Sequence, residues 1–325
     1  MQAQDFAAAK WALGQRAHGL TDAAIEQSFN AGEILRTHIL RPTWHFVLPA
    51  DIRWMLMLTS PRVHAFNASY YRKFGLDAET FLRSSAVLEQ ALQGGNALTR
   101  LELEAAQQDG GIQTDDLRAT LLVMRAELDG LLCSGPRRGK QFTYMLLEER
   151  VPPAPARTRE EALVELTLRY FASHGPATLA DFVWWSGLSA SDARSGIETV
   201  KSQLAREMLT GQNYWFNGST PTKSDPSQRV DLLPNFDEYT VAYADRSAIS
   251  IHADLTTLDP RSQGLLNYIV LLNGQFAGHW KRTIKKNEVM IALQPFAPLS
   301  ESQQQAASDA VDAYGTFLGL SARLV

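Results

Sequence analysis

The 325-residue sequence contains a single cysteine, Cys133. One cysteine excludes an internal disulfide framework and is typical of a reducing cytoplasm. The sequence has no run of the roughly 18 apolar residues that a membrane-spanning helix needs, and its first residues lack the basic and apolar regions of a signal peptide. We therefore predict a cytoplasmic protein without a membrane partner.

An excess of positive charge is also missing, because the formal net charge is −4. Such a chain has no global potential to attract nucleic acid, so any binding of this kind must use local basic patches. The hydrophobic content of 45% is ordinary for a globular protein. The length predicts about two or three domains of roughly 100–200 residues each.

The sequence signatures of several enzyme classes are absent. No Gly-x-Ser-x-Gly, Walker A or Gly-x-Gly-x-x-Gly sequence occurs, so hydrolase, nucleoside-triphosphatase and dinucleotide interpretations lack an anchor. His38 and His45 could face each other across a hairpin, with His64 nearby. No His-x-x-x-His, Cys-x-x-Cys or clustered carboxylates complete a metal site. We predict neither a metal nor a cofactor.

The stretch from residue 35 to 54 is rich in histidine, tryptophan and arginine. Residues 36–40 and 43–47 predict two strands. Arg41-Pro42 is expected to be the tight connection between them, because proline fixes φ and restricts the residue before it. Pro49 then begins a helix. The hairpin either lines a functional site or is a buried element with satisfied histidines.

A helix-turn-helix followed by a hairpin recurs three times along the chain. Capping boxes that begin at Thr99, Thr158 and Ser300 mark helix starts, and Asn273-Gly274 predicts a tight hairpin turn. The C-terminal strands are predicted at 239–243, 249–252, 268–272, 276–280 and 289–293.

The predicted fold class is α+β, with three tandem winged-helix motifs followed by a small antiparallel β-barrel with a C-terminal helix. The winged helices are predicted at 1–75 (N-terminally incomplete), 76–150 and 156–218, and the barrel domain at 226–325.

Two polar clusters are candidate functional groups. Arg137, Arg138 and Lys140 lie on a glycine-bounded loop between two strands, which suits either phosphate contacts or a solvated turn. Asp237 and Glu238 form a carboxylate pair that could do acid–base chemistry. The spacing alone favours a structural role for this pair, such as capping a strand end or pairing with Arg246.

Four segments in order resemble the AlkZ/YcaQ-like winged-helix DNA glycosylases. They are residues 2–5 with their Gln-x-Gln element, the hairpin at 36–47, the basic second wing, and residues 232–239 with the sequence Leu-Leu-Pro-Asn-Phe-Asp-Glu-Tyr. The resemblance spans essentially the whole chain. It implies three winged helices around a DNA channel plus a C-terminal barrel, and excision of N-alkylated purines, including those in interstrand crosslinks.

The resemblance also implies roles for individual residues. The catalytic glutamines fall on Gln2 and Gln4, and the DNA-binding residues are Thr43, His45, Arg137, Arg138 and Lys140. Asp237 and Glu238 are expected to make barrel-side contacts. The expected protein is a monomeric, monofunctional DNA glycosylase that acts on double-stranded DNA and is associated with the nucleoid when bound. The alternatives are a non-catalytic winged-helix DNA-binding protein or transcriptional regulator, and a ligand-binding or protein-interaction module.

One departure from the family concerns the N-terminus. The family has a further helix before its Gln-x-Gln element, whereas here the element begins at residue 2. We expect either a misassigned start codon or a truncated version with a frayed terminus, in which Phe6 and Trp11 are partly uncovered. An N-terminally extended chain is then expected to be more stable and more active.

Overall fold

The computed structural model describes residues 1–218, 228–250 and 267–325. It contains two compact units. The first unit combines Met1–Glu26 with the described part of Ser219–Val325, and the second unit is Gln27–Gly218. The first unit is therefore discontinuous in sequence. Within the described ranges, none of the helices combines the length and the apolar character needed to cross a membrane.

Helices and strands are both abundant, which confirms the predicted α+β class. The helices of the described residues are α1 (Phe6–Gly14), α2 (Asp22–Ala31), α3 (Pro49–Lys73), α4 (Ala78–Leu92), α5 (Arg100–Asp109), α6 (Arg118–Leu128), α7 (Leu147–Arg150), α8 (Arg159–His174), α9 (Leu179–Ser186), α10 (Ala190–Val200), α11 (Glu238–Val241) and α12 (Glu301–Leu318). The strands are β1 (Leu35–Ile39), β2 (Arg41–Val47), β3 (Leu98–Thr99), β4 (Leu132–Ser134), β5 (Thr143–Leu146), β6 (Ala205–Leu209), β7 (Gln212–Phe216), β8 (Val230–Leu233), β9 (Ile269–Leu272), β10 (Gln275–Ile284), β11 (Glu288–Pro295) and β12 (Ser321–Leu324).

Several element boundaries follow from local side-chain chemistry. Thr99, Thr158 and Ser300 each complete a capping box at the start of α5, α8 and α12, as predicted. Each box satisfies two backbone amides that a helix start would otherwise leave unbonded. Asn273 and Gly274 have φ values of 50° and 80° between β9 and β10, which confirms the predicted turn.

The hairpin of β1 and β2 forms part of the core of the second unit. β1 is buried along its whole length and lies against α3, α6 and β4. The predicted connection at Arg41-Pro42 is wrong by one position, because Ile39 pairs directly with Arg41. Leu40 makes the turn instead, with φ of 65° in the left-handed region. The backbone amide of Leu40 donates to Thr59 Oγ1 at 3.2 Å, which holds the turn against α3.

The rest of the second unit contains two helix-and-ladder groups. Helices α4 to α6 accompany a three-stranded sheet of order β3-β5-β4, and Leu88, Leu103, Val123 and Leu132 belong to their shared core. Helices α8 to α10 precede the antiparallel pair β6-β7. This order is the one predicted for the second and third winged helices. The number of winged helices and their boundaries stay predictions.

A five-stranded sheet of order β12-β11-β10-β9-β8 forms the core of the first unit, together with α12. Strands β8 to β11 pair antiparallel, whereas β12 pairs parallel to β11. The parallel pair was not predicted, and it arises because α12 carries the chain back across the sheet. Among the described residues the sheet has two open edges, at β8 and β12. A closed barrel stays a prediction.

Two of the predicted C-terminal strands differ from the structure. Residues 239–243 begin in α11, because the Asp237 side chain caps that helix. The segment predicted at 249–252 begins at the end of a short 3-10 turn, Ser247–Ile249, and residues 251 and 252 lie outside the described residues.

The N-terminal helix α1 is well packed, contrary to expectation. Phe6 and Trp11 are only 8% and 5% exposed. The Trp11 ring lies 4.9 Å from that of Tyr314 and 5.1 Å from that of Phe317, centroid to centroid. The Trp11 indole N–H also donates to the carbonyl of Leu232 at 2.7 Å. The packing partner that the sequence did not reveal is α12, near the other end of the chain.

Candidate functional site

Residues 2–5 and 232–239, two of the segments that resemble the family, lie together in the first unit. The backbone N–H of Gln2 donates to Glu238 Oε1 at 2.8 Å, although the two residues are 236 positions apart. Asp5 Oδ2 accepts hydrogen bonds from Asn235 Nδ2 at 3.4 Å and from the Tyr268 hydroxyl at 3.5 Å. The Gln-x-Gln segment and the Asn-Phe-Asp-Glu-Tyr segment therefore form one local structure.

Asp5 links this structure to α1. Its other carboxylate oxygen, Oδ1, accepts the backbone N–H of Ala8 at 3.0 Å and so caps the helix. The two glutamines differ in their exposure, because Gln2 is 9% exposed whereas Gln4 is exposed. Gln2 is thus buried and held by its backbone, while Gln4 is accessible to solvent.

The contacts of the Asp237 carboxylate indicate a structural role rather than acid–base chemistry. Its two carboxylate oxygens accept from Arg16 Nη2 at 2.6 Å and Nη1 at 2.9 Å, and Oδ1 also accepts the backbone N–H of Tyr239. Burial alone would lower the pKa of Arg16, but Asp237 outweighs it and the net pKa is raised. Arg246, the other candidate partner of this carboxylate pair, donates to the carbonyl of Thr240 at 2.6 Å. The ion pair with Arg16 holds α11, and hence Glu238, in place.

The hairpin histidines in the second unit are buried. His38 is 2% exposed, and its Nδ1 lies 2.5 Å from Glu127 Oε2. His45 is also 2% exposed, and its Nδ1–H donates to the carbonyl of Thr43 at 3.0 Å. The ring of His45 would have to be uncovered to contact DNA directly, whereas Thr43 is only half-buried.

Arg36 lies between two aromatic rings. Its guanidinium carbon is 4.3 Å from the ring centroid of Trp44 and 4.5 Å from that of Phe142. Burial lowers the pKa of Arg36, and the Glu127 carboxylate opposes this shift. Because an arginine stays protonated in proteins, the stack places a fixed positive charge between the β1–β2 hairpin and the β4–β5 loop. Cation–π contacts of this kind are worth about 0.5–2 kcal/mol each.

The basic loop predicted for phosphate contact joins β4 and β5. Arg137 donates through its backbone N–H to Asn30 Oδ1 and through Nη2 to the carbonyl of Lys140, both at 2.8 Å. Arg138 Nη1 donates to Glu102 Oε1 at 2.7 Å. The Thr99 backbone amide, followed by Arg138, lowers the pKa of Glu102 to about 2. Glu102 is therefore ionised at neutral pH, and DNA must compete with it for Arg138.

Beside this loop lies a cleft of about 290 Å³ with a cationic lining. Arg36, Arg100 and Lys140 contribute the positive charges, and Trp44 and Phe142 contribute aromatic surface. The side chain of Arg100 is held by a hydrogen bond from Nη2 to Thr120 Oγ1 at 2.6 Å. A phosphate is the kind of group that such a cleft can bind.

Sequence reasoning missed Arg16, Arg36 and Arg100. A signal for Arg36 existed, since Arg36 and Trp44 are an arginine and an aromatic residue on paired strands, but its use required the hairpin register. Across the described ranges no group of three His, Cys, Asp or Glu side chains could hold a metal ion. Cys133 is fully buried, and burial raises the pKa of its thiol to about 12.

Comparison of the chain with known proteins identifies its family. The family model described as "DNA glycosylase AlkZ-like" matches residues 1–317. A curated relative, the interstrand DNA cross-link repair glycosylase of Streptomyces sahachiroi, is 22% identical over 160 residues, which are 47% of this chain and only 43% of the relative. The solved structure of Streptomyces sahachiroi DNA glycosylase AlkZ superposes with a TM-score of 0.77 and 19% identity, covering 100% of this chain and 91% of the other. The chain therefore belongs to the AlkZ-like DNA glycosylase family.

Proposed function

We propose that this chain is a DNA glycosylase that hydrolyses the N-glycosidic bond of N-alkylated purines, including purines in interstrand crosslinks. The observation that carries the proposal is the 2.8 Å hydrogen bond from the Gln2 backbone N–H to Glu238. It fixes the glutamine segment against the second family segment. The name of the Streptomyces sahachiroi relative, an interstrand DNA cross-link repair glycosylase, supports the crosslink as a substrate class.

The proposed reaction needs little activation of the leaving base by the protein. Alkylation at purine N7 makes the base cationic, so the base leaves C1′ without strong help from a general acid. The enzyme must place a water molecule and stabilise the positive charge that develops on the sugar. A carboxamide is no base at neutral pH, but its carbonyl oxygen accepts a hydrogen bond from water and its dipole favours a nearby cation. Gln2 and Gln4 are the proposed groups.

The proposed enzyme is monofunctional and leaves an abasic site. A bifunctional enzyme needs an amine that can attack the sugar. Lys10, the lysine of the N-terminal segment, is 4% exposed, and its Nζ lies 2.9 Å from Asp22 Oδ2 and 2.8 Å from Glu26 Oε2. Two carboxylates hold it as a buried ion-pair partner, which argues against a nucleophilic role.

The experiment that tests the proposed function is incubation with a duplex that contains a single N7-alkylguanine. The expected products are free base and an abasic strand that breaks only on later treatment with alkali. Strand cleavage without alkali would contradict the monofunctional mechanism. Tight, salt-dependent binding without base release would favour the alternative, a non-catalytic DNA-binding protein.

DNA binding is proposed to use the cationic cleft and the basic loop, which gives a separate prediction. Replacing Lys140 with alanine removes one exposed cation, so duplex affinity should fall by a similar factor for different sequences. The slope of log binding constant against log salt concentration should become shallower by about 1. The Lys201→Ala variant is a matched control, because Lys201 is an exposed lysine paired with Glu198. Equal slopes for Lys140→Ala and the unaltered protein would rule out a phosphate contact by Lys140.

A further inference from the structure

A second aromatic and cationic surface lies at the turn of the β1–β2 hairpin, in the second unit. It is a cleft of about 530 Å³, here called the hairpin-tip cleft. Arg41 and Pro42 line it from the hairpin, Arg62 and Phe66 from α3, and Trp184 from α9. None of these residues has a part in the proposed chemistry or in the cationic cleft.

The aromatic residues of the hairpin-tip cleft are unusually open. Phe66 is 65% exposed and Trp184 is 46% exposed, although both are large hydrophobic side chains. The guanidinium carbon of Arg41 lies 5.6 Å from the ring centroid of Trp184, and Arg62 is exposed nearby on α3. Among the described residues, those that line the cleft thus include two arginines and no carboxylate.

The backbone is built to keep the hairpin turn and Trp184 together. Gly187 ends α9 with φ of 69°, and a Cβ added there would lie 2.2 Å from the carbonyl oxygen of Leu40. Only glycine permits both this conformation and this approach. The capping box of Thr178 and Asp181 fixes the other end of the same short helix. The positions of Arg41 and Trp184 are therefore set by rigid elements.

We propose that the hairpin-tip cleft binds an unpaired nucleotide of DNA. Its base would stack on Trp184 or Phe66, and its phosphates would contact Arg41 and Arg62. Exposed aromatic faces beside cations are the means by which proteins hold single-stranded nucleic acid, since every base has a face that can stack. The absence of a carboxylate among the described residues that line the cleft matches a polyanion.

The inference rests on the proposed function in one respect, which is that the bound nucleic acid is DNA. A glycosylase that opens a damaged duplex produces unpaired nucleotides beside the lesion, because base chemistry in a duplex generally requires local unpairing. The hairpin-tip cleft would hold such a nucleotide. It would also bind undamaged single-stranded DNA, which allows the site to be tested without a lesion.

The test is binding of a short single-stranded deoxyoligonucleotide with 2-aminopurine at its centre. The unaltered protein should quench the 2-aminopurine fluorescence, because stacking quenches this base. The Trp184→Ala variant should bind about 5- to 100-fold more weakly and lose most of the quenching. The Trp184→Phe variant should recover part of both. An Arg41→Ala, Arg62→Ala double variant should make the salt dependence shallower.

Matched controls separate the cleft from general surface effects. Leu82 is 73% exposed on α4, so Leu82→Ala removes a comparable apolar side chain elsewhere on the unit. Arg159→Ala removes an arginine that pairs with Asp192. Both controls should bind the oligonucleotide like the unaltered protein. Thermal denaturation checks the fold of each variant, and Phe66→Ala provides a second test if Trp184→Ala unfolds.

Each outcome decides the inference. Unchanged binding and quenching in a folded Trp184→Ala variant would overturn it, as would equally strong dependence on Leu82. Tighter binding to the matching RNA, or self-association that Trp184→Ala abolishes without affecting DNA, would also overturn it. Base release from the alkylated duplex is measured in parallel. If release is absent but oligonucleotide binding depends on Trp184, only the proposed glycosylase function fails.

Discussion

Replacing Gln2 and Gln4 together with alanine is expected to lower the rate of base release from an N7-alkylguanine duplex by at least about 100-fold, the usual loss when a preorganised dipole is removed from an active site. Duplex binding should change little, because the proposed phosphate contacts lie on other residues. The melting temperature should fall only modestly, since the Gln2 side chain is buried but the hydrogen bond from Gln2 to Glu238 uses the backbone N–H and survives in alanine.

The single variants and a matched control make this prediction sharper. Gln4 is exposed, whereas Gln2 is 9% exposed, so Gln4→Ala should perturb the fold less than Gln2→Ala, which truncates a buried side chain. Gln305→Ala removes an exposed glutamine of α12, whose Nε2 donates to Asp309, and should leave release unchanged. A double Gln2, Gln4 variant with the unaltered rate would exclude these residues as catalytic groups, even if the chain is a glycosylase.

Replacing Arg16 with alanine is expected to destabilise the first unit by about 2–4 kcal/mol and to slow base release. Asp237 is 1% exposed, and the substitution would leave its carboxylate buried without its main cation. The expected loss is below the largest values for buried pairs, because the Arg16 side chain is 37% exposed and partly screened by solvent. Base release should fall because Asp237 caps α11, which carries Glu238 and so positions Gln2.

Urea denaturation measures the loss of stability, and a second substitution tests its cause. The Arg16→Ala, Asp237→Asn double variant has no buried unpaired charge, and asparagine still caps a helix. It should therefore be more stable than Arg16→Ala alone. Arg229→Ala is the control, because Arg229 pairs with Asp231 at the surface and its side chain is 71% exposed. A loss as large for Arg229 as for Arg16 would show that burial of Asp237 is not the cause.

The parts of the fold that the sequence predicted well depend on neighbouring residues. Thr99 with Glu102 defines a helix start within four positions, and Asn273-Gly274 defines a turn within two. Such patterns need no knowledge of the rest of the chain. The α+β class follows from the same local signals.

The parts that the sequence did not predict depend on contacts between distant residues. Residues 239–241 have strand-like composition but form a helix, since Asp237 caps it and is itself held by Arg16, 221 positions away. The burial of Trp11 likewise depends on Tyr314 and Phe317 in α12. The aromatic stack around Arg36 required the hairpin register and the position of Phe142 in the β4–β5 loop. Neither periodicity nor capping carries such information.

The discontinuity of the first unit has a consequence for the order in which the protein is made. The ribosome synthesises Gln2 well before Glu238, the partner of its backbone N–H, which follows 236 residues later. The second unit, Gln27–Gly218, is complete by then and can fold while synthesis continues. The glutamine segment cannot pack in its final position until β8, α11 and α12 have been synthesised. A nascent or prematurely ended chain would therefore carry the cationic surfaces of the second unit before it has an assembled glutamine site.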